Sequence, residues 1–476
     1  MSVTPQSLHY HLTRLVDSQK FLIAYSGGVD SHVLLHLCYQ LKKHSLGKDI
    51  NFSAVYIDHG LSPHAQKWGE HCQQVCYELD IPLSIIEVNA RPDQGQSPEA
   101  AARKARYQAF HEILTDGECL LTAQHLDDQA ETVLLQLMRG SGTRGLSAMP
   151  ELKTFGKGWL CRPMLDINKQ TILAYAQQHQ LHWVEDESNQ EQRFDRNFLR
   201  HSILPELQKH WPSVQNNIAR TANVLGESQY LLDIMAKEDF TAAAEFENEQ
   251  QTADKLVLNK VRERVDLSAP QVLAETRFKL ARVHNLLRYW VHLNDLPMPS
   301  KKILEQVVHN VIFSRDDASP VVCWKRDSFQ CEIRKYRNTL YLINRTGQPI
   351  IDAQVRTQSY ALKPDQPLNL PGIGIISIEP GSEELKQTIT VRFRQGGERF
   401  RKSTGAASSL LKHWFQEQGI PPWERDYMPL IFVDDELVQV GNFIVNKDFG
   451  NESGKPKVFV KSDHSLAQTD RAITVK

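Results

Sequence analysis

Ser26-Gly27-Gly28-Val29-Asp30-Ser31 gathers in six positions what is needed to hold a polyphosphate. Two adjacent glycines let the backbone turn tightly and permit positive φ. Ser26 and Ser31 supply hydroxyl donors, and Asp30 supplies a carboxylate. Mg²⁺ prefers one or two carboxylates together with phosphate oxygens, so Asp30 is the expected Mg²⁺ ligand. The common phosphate-loop motif Gly-x4-Gly-Lys-Ser/Thr is not present. The alternative for this stretch is a glycine turn that merely joins two elements.

Further candidates follow along the chain. Asp58-His59 closes an apolar run, with His59 as a second nucleotide contact or a helix cap. Arg103 and Arg106 share a helix face and read either as a bidentate phosphate clamp or as a solvated pair. His125, Asp127, Asp128 and Glu131 lie within seven positions. His125, Asp127 and Asp128 fall between a strand end and a helix start, at the expected ligand rim. Asp128-Gln129-Ala130-Glu131 also has the form of a capping box, which would make Asp128 and Glu131 partly structural. Arg139 opens a glycine-rich basic loop and is a further candidate for nucleotide phosphates. Arg193, Arg196 and Arg200 fall at i, i+3 and i+7, a basic stripe suited to an RNA backbone or to solvent.

The elements that must position these residues alternate strand and helix. Phe21 to Ala24 reads as a buried strand, and Val33, Leu34, Leu37, Cys38 and Leu41 as a helical stripe. A strand–turn–helix unit aims backbone N–H groups and a helix dipole at one spot, which suits phosphate. Further strands are expected at 52–58, 83–88 and 118–123, with helices at 64–79, 97–113 and from Ala130. This is an α/β pattern. It predicts a parallel twisted sheet with helices on both faces, and ligands at the carboxyl ends of its strands.

Together these motifs resemble the tRNA(Ile)-lysidine synthase family, within the PP-loop ATP pyrophosphatases. The pieces are SGGVDS at 26–31, DHGL at 58–61 and EAAARKARY at 99–107. They continue with HLDDQAET at 125–132, RGSGTRGLSAM at 139–149, RPML at 162–165, EDESN at 185–189 and RFDRNFLRHSILPEL at 193–207. The resemblance implies an adenine nucleotide α-hydrolase-like fold. It implies a ligase that adenylates C2 of the wobble cytidine of a CAU anticodon with ATP and Mg²⁺. Free L-lysine then displaces AMP, and codon reading changes from AUG to AUA. It assigns catalysis to Asp30, Arg103, His125, Asp127 and Asp128. Nucleotide binding falls to Ser26, Gly27, Gly28, Val29, Asp30, Ser31, His59 and Arg139. Substrate contacts fall to Glu131, Arg193, Arg196, Asn197 and Arg200. A homodimer is compatible with it. The alternative within the same superfamily is a tRNA thiolase, which would want paired cysteines near the site. Cys72 and Cys76 fit that poorly.

The rest of the chain sets bounds. Its 476 residues suggest about three domains. These read as 1–215 catalytic, 216–345 mainly helical and 353–476 a small α+β tRNA-binding domain, with strands also at 320–324, 330–335 and 339–343. A net charge of −2 places any polyanion surface in local clusters. The strongest lies between Val391 and His413, where Arg399, Arg401, Lys402 and Lys412 stand among six basic residues against one acid. Trp414 and Phe415 beside it would suit RNA stacking. Seven scattered cysteines, no signal-peptide pattern and no run of about 18 apolar residues lead to an expectation of a cytoplasmic protein with no membrane span.

Overall fold

The computed structural model describes the chain except residues 1–2, 61–63, 93–97, 186–193, 245–253, 264–272, 316–317, 327, 347–352, 364–365, 372, 379–387, 404, 447–457, 463–472 and 475–476. Arg193, Leu61 and most of EDESN therefore lie outside the described residues. The chain packs as two compact units, 1–235 and 236–476.

The first unit runs α1 (Pro5–Leu15), β1 (Lys20–Ala24), α2 (Val29–Lys43), β2 (Asn51–Asp58), α3 (Ala65–Glu78), β3 (Leu83–Glu87), α4 (Pro98–Ile113) and β4 (Cys119–Leu121). After these come α5 (Leu126–Met138), α6 (Thr143–Leu146), β5 (Leu152–Phe155), β6 (Gly158–Cys161) and α7 (Lys169–Gln178). Helices α8 (Asp195–Phe198) and α9 (Leu204–His210) follow, with a π-helical turn at Leu199–Ile203 between them, and then α10 (Val214–Ala243), whose residues from 236 on belong to the second unit. The strands form one sheet in the order β3-β2-β1-β4-β6-β5, parallel except for the edge strand β5. The short β5–β6 hairpin is not foreseen in the sequence.

This strand order dictates where a ligand can go. The chain steps from β1 outward to β2 and β3, then returns to place β4 on the other side of β1. The loops leaving β1 and β4 therefore diverge, and a crevice opens between them at the carboxyl edge. Phe21, Leu22 and Ile23 pair with Cys119, Leu120 and Leu121 in register, so both loops start at the same level.

Packing fixes that geometry. Val33, Leu34, Leu35, Leu37 and Leu41 of α2 are buried against one face of the sheet. Each such side chain contributes roughly 1.5–3 kcal/mol. Phe110, Leu114, Leu120 and Leu160 build a second core on the opposite face under α4.

The second unit has its own cores. A four-stranded antiparallel sheet, Lys255–Val257, Thr339–Asn344, Phe329–Tyr336 and Val321–Arg326 in that order, shares a core with helices Leu273–Leu293 and Lys301–Gln306. The region read as helical thus carries a complete sheet as well. The part beyond Ala353 is mostly short strands, in sheets of six, three and two. Trp414 and Phe415 are in its core, at 2% and 0% exposure. They are not available for stacking on RNA, which corrects that expectation: the helix Leu411–Glu417 turns its aromatic face inward. Arg401, Lys402 and Lys412 are exposed, and Arg399, also exposed, donates to the Ser408 carbonyl at 2.8 Å. Arg392 pairs with Asp435, and Arg394 lies 3.7 Å from Asp426. No described helix is long and apolar enough to cross a membrane.

Candidate active site

A cavity of about 370 Å³ opens at the crevice between β1 and β4. Ser26, Gly28, Asp30 and Ser31 line it from the first loop, and Thr122, Gln124 and Asp128 from the second. Arg103, Arg106 and Tyr107 of α4 and His59 after β2 complete a polar wall. Val55, Tyr56 and Ile57 at the carboxyl end of β2 line its floor.

The glycine corner is built as the sequence requires, with one refinement. Gly27 has φ of +79°, whereas Gly28 sits in ordinary extended backbone at −74°. A Cβ on Gly27 would come within 2.8 Å of Val184, whose amide donates to the Gly27 carbonyl at 3.0 Å. The Ser31 hydroxyl is spent on the loop itself: it donates to the Gly28 carbonyl at 2.9 Å and accepts from the Ser26 amide at 3.2 Å. Val29 starts α2, and no side chain caps that helix, as is also the case for α3, α6, α8 and α9. The first amides of α2 are thus left to the cavity.

Across the crevice, the start of α5 is arranged differently from the box expected at Asp128. His125 is the N-cap: its Nδ1 accepts from the Asp127 amide at 3.3 Å, and the Asp128 carboxylate accepts from the His125 amide at 3.1 Å. The box is shifted three residues toward the amino end. An acceptor role for Nδ1 puts the hydrogen on Nε2. That Nε2 lies 3.7 Å from Asp30 and 3.6 Å from Asp128. One buried imidazole therefore sits among three carboxylates drawn from two loops.

Glu131, fully buried one turn later, is claimed by two arginines. Arg196 Nε donates to it at 2.8 Å and Arg200 Nε at 2.6 Å, and Arg200 Nη2 also reaches Asp128 at 3.2 Å. This revises the expectation of a stripe laid along RNA: in this structure Arg196 and Arg200 turn toward α5. Asn197 is buried beside them. Burial alone would raise the Asp128 carboxyl, but His125, Arg196 and Arg200 outweigh it and hold it below the usual carboxylate value. Removing Glu131 would leave two guanidinium groups sharing Asp128 as their remaining acid. Because the arginines are a quarter to a third exposed, Glu131→Ala is expected to cost about 2–3 kcal/mol rather than more. A lowered midpoint of the first unit in urea checks this. An unchanged midpoint would show the pairs to be solvated.

Other residues fall at varied distances from the cavity. Arg103 lies over the Tyr107 ring, 4.7 Å from its centroid, on the cavity wall. Arg139 is exposed at the carboxyl end of α5. That is roughly 20 Å along the helix from His125, so it does not meet the residues with which it was grouped. Arg162 is buried and donates to the Pro150 carbonyl at 2.7 Å, closing the β5–β6 hairpin. Lys169 went unnoticed in the sequence, yet its ammonium donates to Asp30 at 2.6 Å. The available signal was Asn168, a good N-cap that sets the residue after it at a helix start near the sheet's carboxyl edge. Cys72 and Cys76 are buried, and burial, with Cys76 adding to the effect at Cys72, pushes both thiols up to about 12. Such thiols are inert, contrary to what a sulfur carrier needs.

Comparison with known proteins gives the family. Residues 4–207 match a PP-loop domain, 276–341 a TilS substrate binding domain and 389–461 a TilS substrate C-terminal domain. The tRNA(Ile)-lysidine synthase of Coxiella burnetii is 39% identical over 454 residues, covering 94% of each chain. That of Methylococcus capsulatus is 38% identical over 88% of this chain and 91% of its own. The Salmonella typhimurium enzyme is 38% identical over 92% and 95%. Among solved structures, a U34-tRNA thiolase from Methanococcus maripaludis aligns over 47% of this chain and 77% of its own, with 18% identity and a TM-score of 0.40. PP-loop domains use ATP, and a chain that carries one together with both TilS domains, and that runs at 38–39% identity along nearly its whole length, belongs to the tRNA(Ile)-lysidine synthase family.

Proposed function

We infer that this chain joins free L-lysine to C2 of the wobble cytidine in a CAU-anticodon tRNA(Ile), at the expense of ATP. The observation that carries the reading is a cavity lined by an uncapped glycine corner and by the carboxylates of Asp30 and Asp128, with His125 next to both at 3.7 and 3.6 Å and Asp127 3.9 Å from His125. The corner suits a triphosphate and the acids suit an ammonium, and few reactions need both.

In the first step the cytidine O2 attacks the α-phosphorus, and the bond to pyrophosphate breaks. The amides at the head of α2 face the triphosphate, and Arg103 and Arg106 oppose it from the α4 wall. Mg²⁺ fits Asp30: one hard carboxylate stands at the cavity edge with a cation already on it, and phosphates would supply the remaining ligands. When bound there, the ion would draw off charge from the departing pyrophosphate.

In the second step the lysine amine attacks C2, AMP leaves, and the ammonium must first lose a proton. His125 is a poor acceptor, because its Nδ1 already accepts from the Asp127 amide and its Nε2 carries the ring hydrogen. Asp128 is held down by two guanidinium groups. Asp127, outside the arginine pair, is the acceptor we assign. The exposed Arg399, Arg401, Lys402 and Lys412 would position the tRNA backbone without reading its sequence.

The test is incubation with ATP, labelled lysine and a CAU-anticodon tRNA(Ile). Label is expected in the RNA, dependent on ATP and on cytidine at the wobble position. Pyrophosphate release without label in the RNA would overturn lysine as the nucleophile.

A further inference from the structure

The Asp30 carboxylate already has a cation. Lys169 Nζ donates to its Oδ1 at 2.6 Å, across 139 positions of sequence. The same residue's backbone amide donates to Asp127 Oδ1 at 3.3 Å. Lys169 is therefore tied to an acid from each of the two loops that frame the crevice.

The helix does not account for this lysine. It is the first residue of the ten-residue α7, where a cation opposes the helix dipole, and the cap there is supplied by Asn168. Packing does not account for it either, since its side chain is one-third exposed. Charge balance does. Arg196 and Arg200 are spent on Glu131 and Asp128. Among the described residues, the ammonium of Lys169 is the cation in hydrogen-bond contact with Asp30, while His125 Nε2 stands off at 3.7 Å and Arg200 feels the carboxylate only from farther away.

We propose that Lys169 is an exchangeable cation of the pyrophosphate subsite, holding Asp30 in the empty cavity and donating to the outer phosphates once a divalent ion takes that carboxylate. The inference rests on the reading that a triphosphate occupies the glycine corner. A lysine suits the exchange: it carries three donors and no acceptor on a flexible four-carbon stem. On the phosphates it would meet the charge that develops as pyrophosphate leaves. No bond to Lys169 is made or broken.

The test uses the full chain with Lys169→Met and Lys169→Arg, both checked by thermal melting. Binding of magnesium pyrophosphate is read by calorimetry, and Mn²⁺ binding without phosphate by water-proton relaxation. Loss of one charge-assisted hydrogen bond weakens pyrophosphate about 10- to 100-fold in Lys169→Met, and Lys169→Arg is expected to stay within about threefold of the parent. Bare Mn²⁺ should bind no more weakly in Lys169→Met, because its competitor for Asp30 is gone. Pyrophosphate affinity within about twofold of the parent would overturn the proposal, as would a parallel loss of both ligands, which marks a lysine that only orients Asp30. A parent chain that binds neither ATP nor pyrophosphate would instead overturn the site reading, and this inference with it.

Discussion

Asp30→Ala is expected to lower ATP-dependent pyrophosphate release by at least about a thousandfold, equivalent to about 4 kcal/mol of barrier. The magnitude follows from how many partners converge on one carboxylate. Lys169 holds it at 2.6 Å and His125 faces it at 3.7 Å, and the cavity puts it beside the uncapped head of α2. Alanine leaves the Lys169 ammonium without its acid and takes from a divalent ion the carboxylate at the head of α2. Binding of tRNA should change less than about twofold, because the exposed basic residues at 399–412 belong to the second unit. Asp30→Asn keeps the shape without the charge and should resemble alanine rather than the parent. A coupled pyrophosphate assay and filter binding of tRNA, run on the same preparations, separate the two effects. Turnover by Asp30→Ala within tenfold of the parent would remove Asp30 from the reaction.

What the sequence made legible was local. An apolar run, a glycine pair and a stripe at helical spacing define β1, the corner and α2, because strand and helix periods differ and glycine marks the break between them. What stayed hidden needed partners distant along the chain. His125-x-x-Asp128 and Asp128-x-x-Glu131 have equivalent local form, and the choice between them is made by where β4 ends. The face of Arg196 and Arg200 could point to solvent or inward until Glu131, 65 positions earlier, is seen beside it. Arg139 followed the acidic motif in sequence, yet a straight helix carries it away from them. Basic residues and aromatics adjacent near Trp414 share a segment but not a side of it. Lys169 belongs to no polar cluster in sequence and enters the site only because β6 lies next to β4 in the sheet.

Acidification is expected to weaken the first unit over two pH windows, the first between pH 6.5 and about 4. His32 and His36 lie on α2, one and two turns after the glycine corner, and both are buried. Burial, with His71 and His36 adding to it, lowers His32 to about 4. Burial and His179 lower His36 to about 4. Around His32 stand Tyr25, at 3.5 Å, and His71, and around His36 stand Tyr175 at 3.0 Å, Gln40 at 3.2 Å and His179. No carboxylate is among these neighbours to welcome a second proton. Between pH 6.5 and 4 the unfolded chain binds protons that the folded chain refuses, so stability falls as pH falls through that interval. Each histidine contributes about 2–3 kcal/mol over the interval, and the pair is a large share of a domain's usual 5–15 kcal/mol. Asp128 acts in a lower window. Its folded carboxyl is held below its ordinary value, so the stability it contributes is present above that value and lost only as pH drops through the folded one. Urea midpoints measured from pH 7.5 to 4.5 should therefore decline smoothly, and His36→Leu should flatten part of the decline while leaving the arginine-held acids intact. A midpoint constant from pH 7 to 5 would mean that the imidazoles under the glycine corner take up protons as readily folded as unfolded.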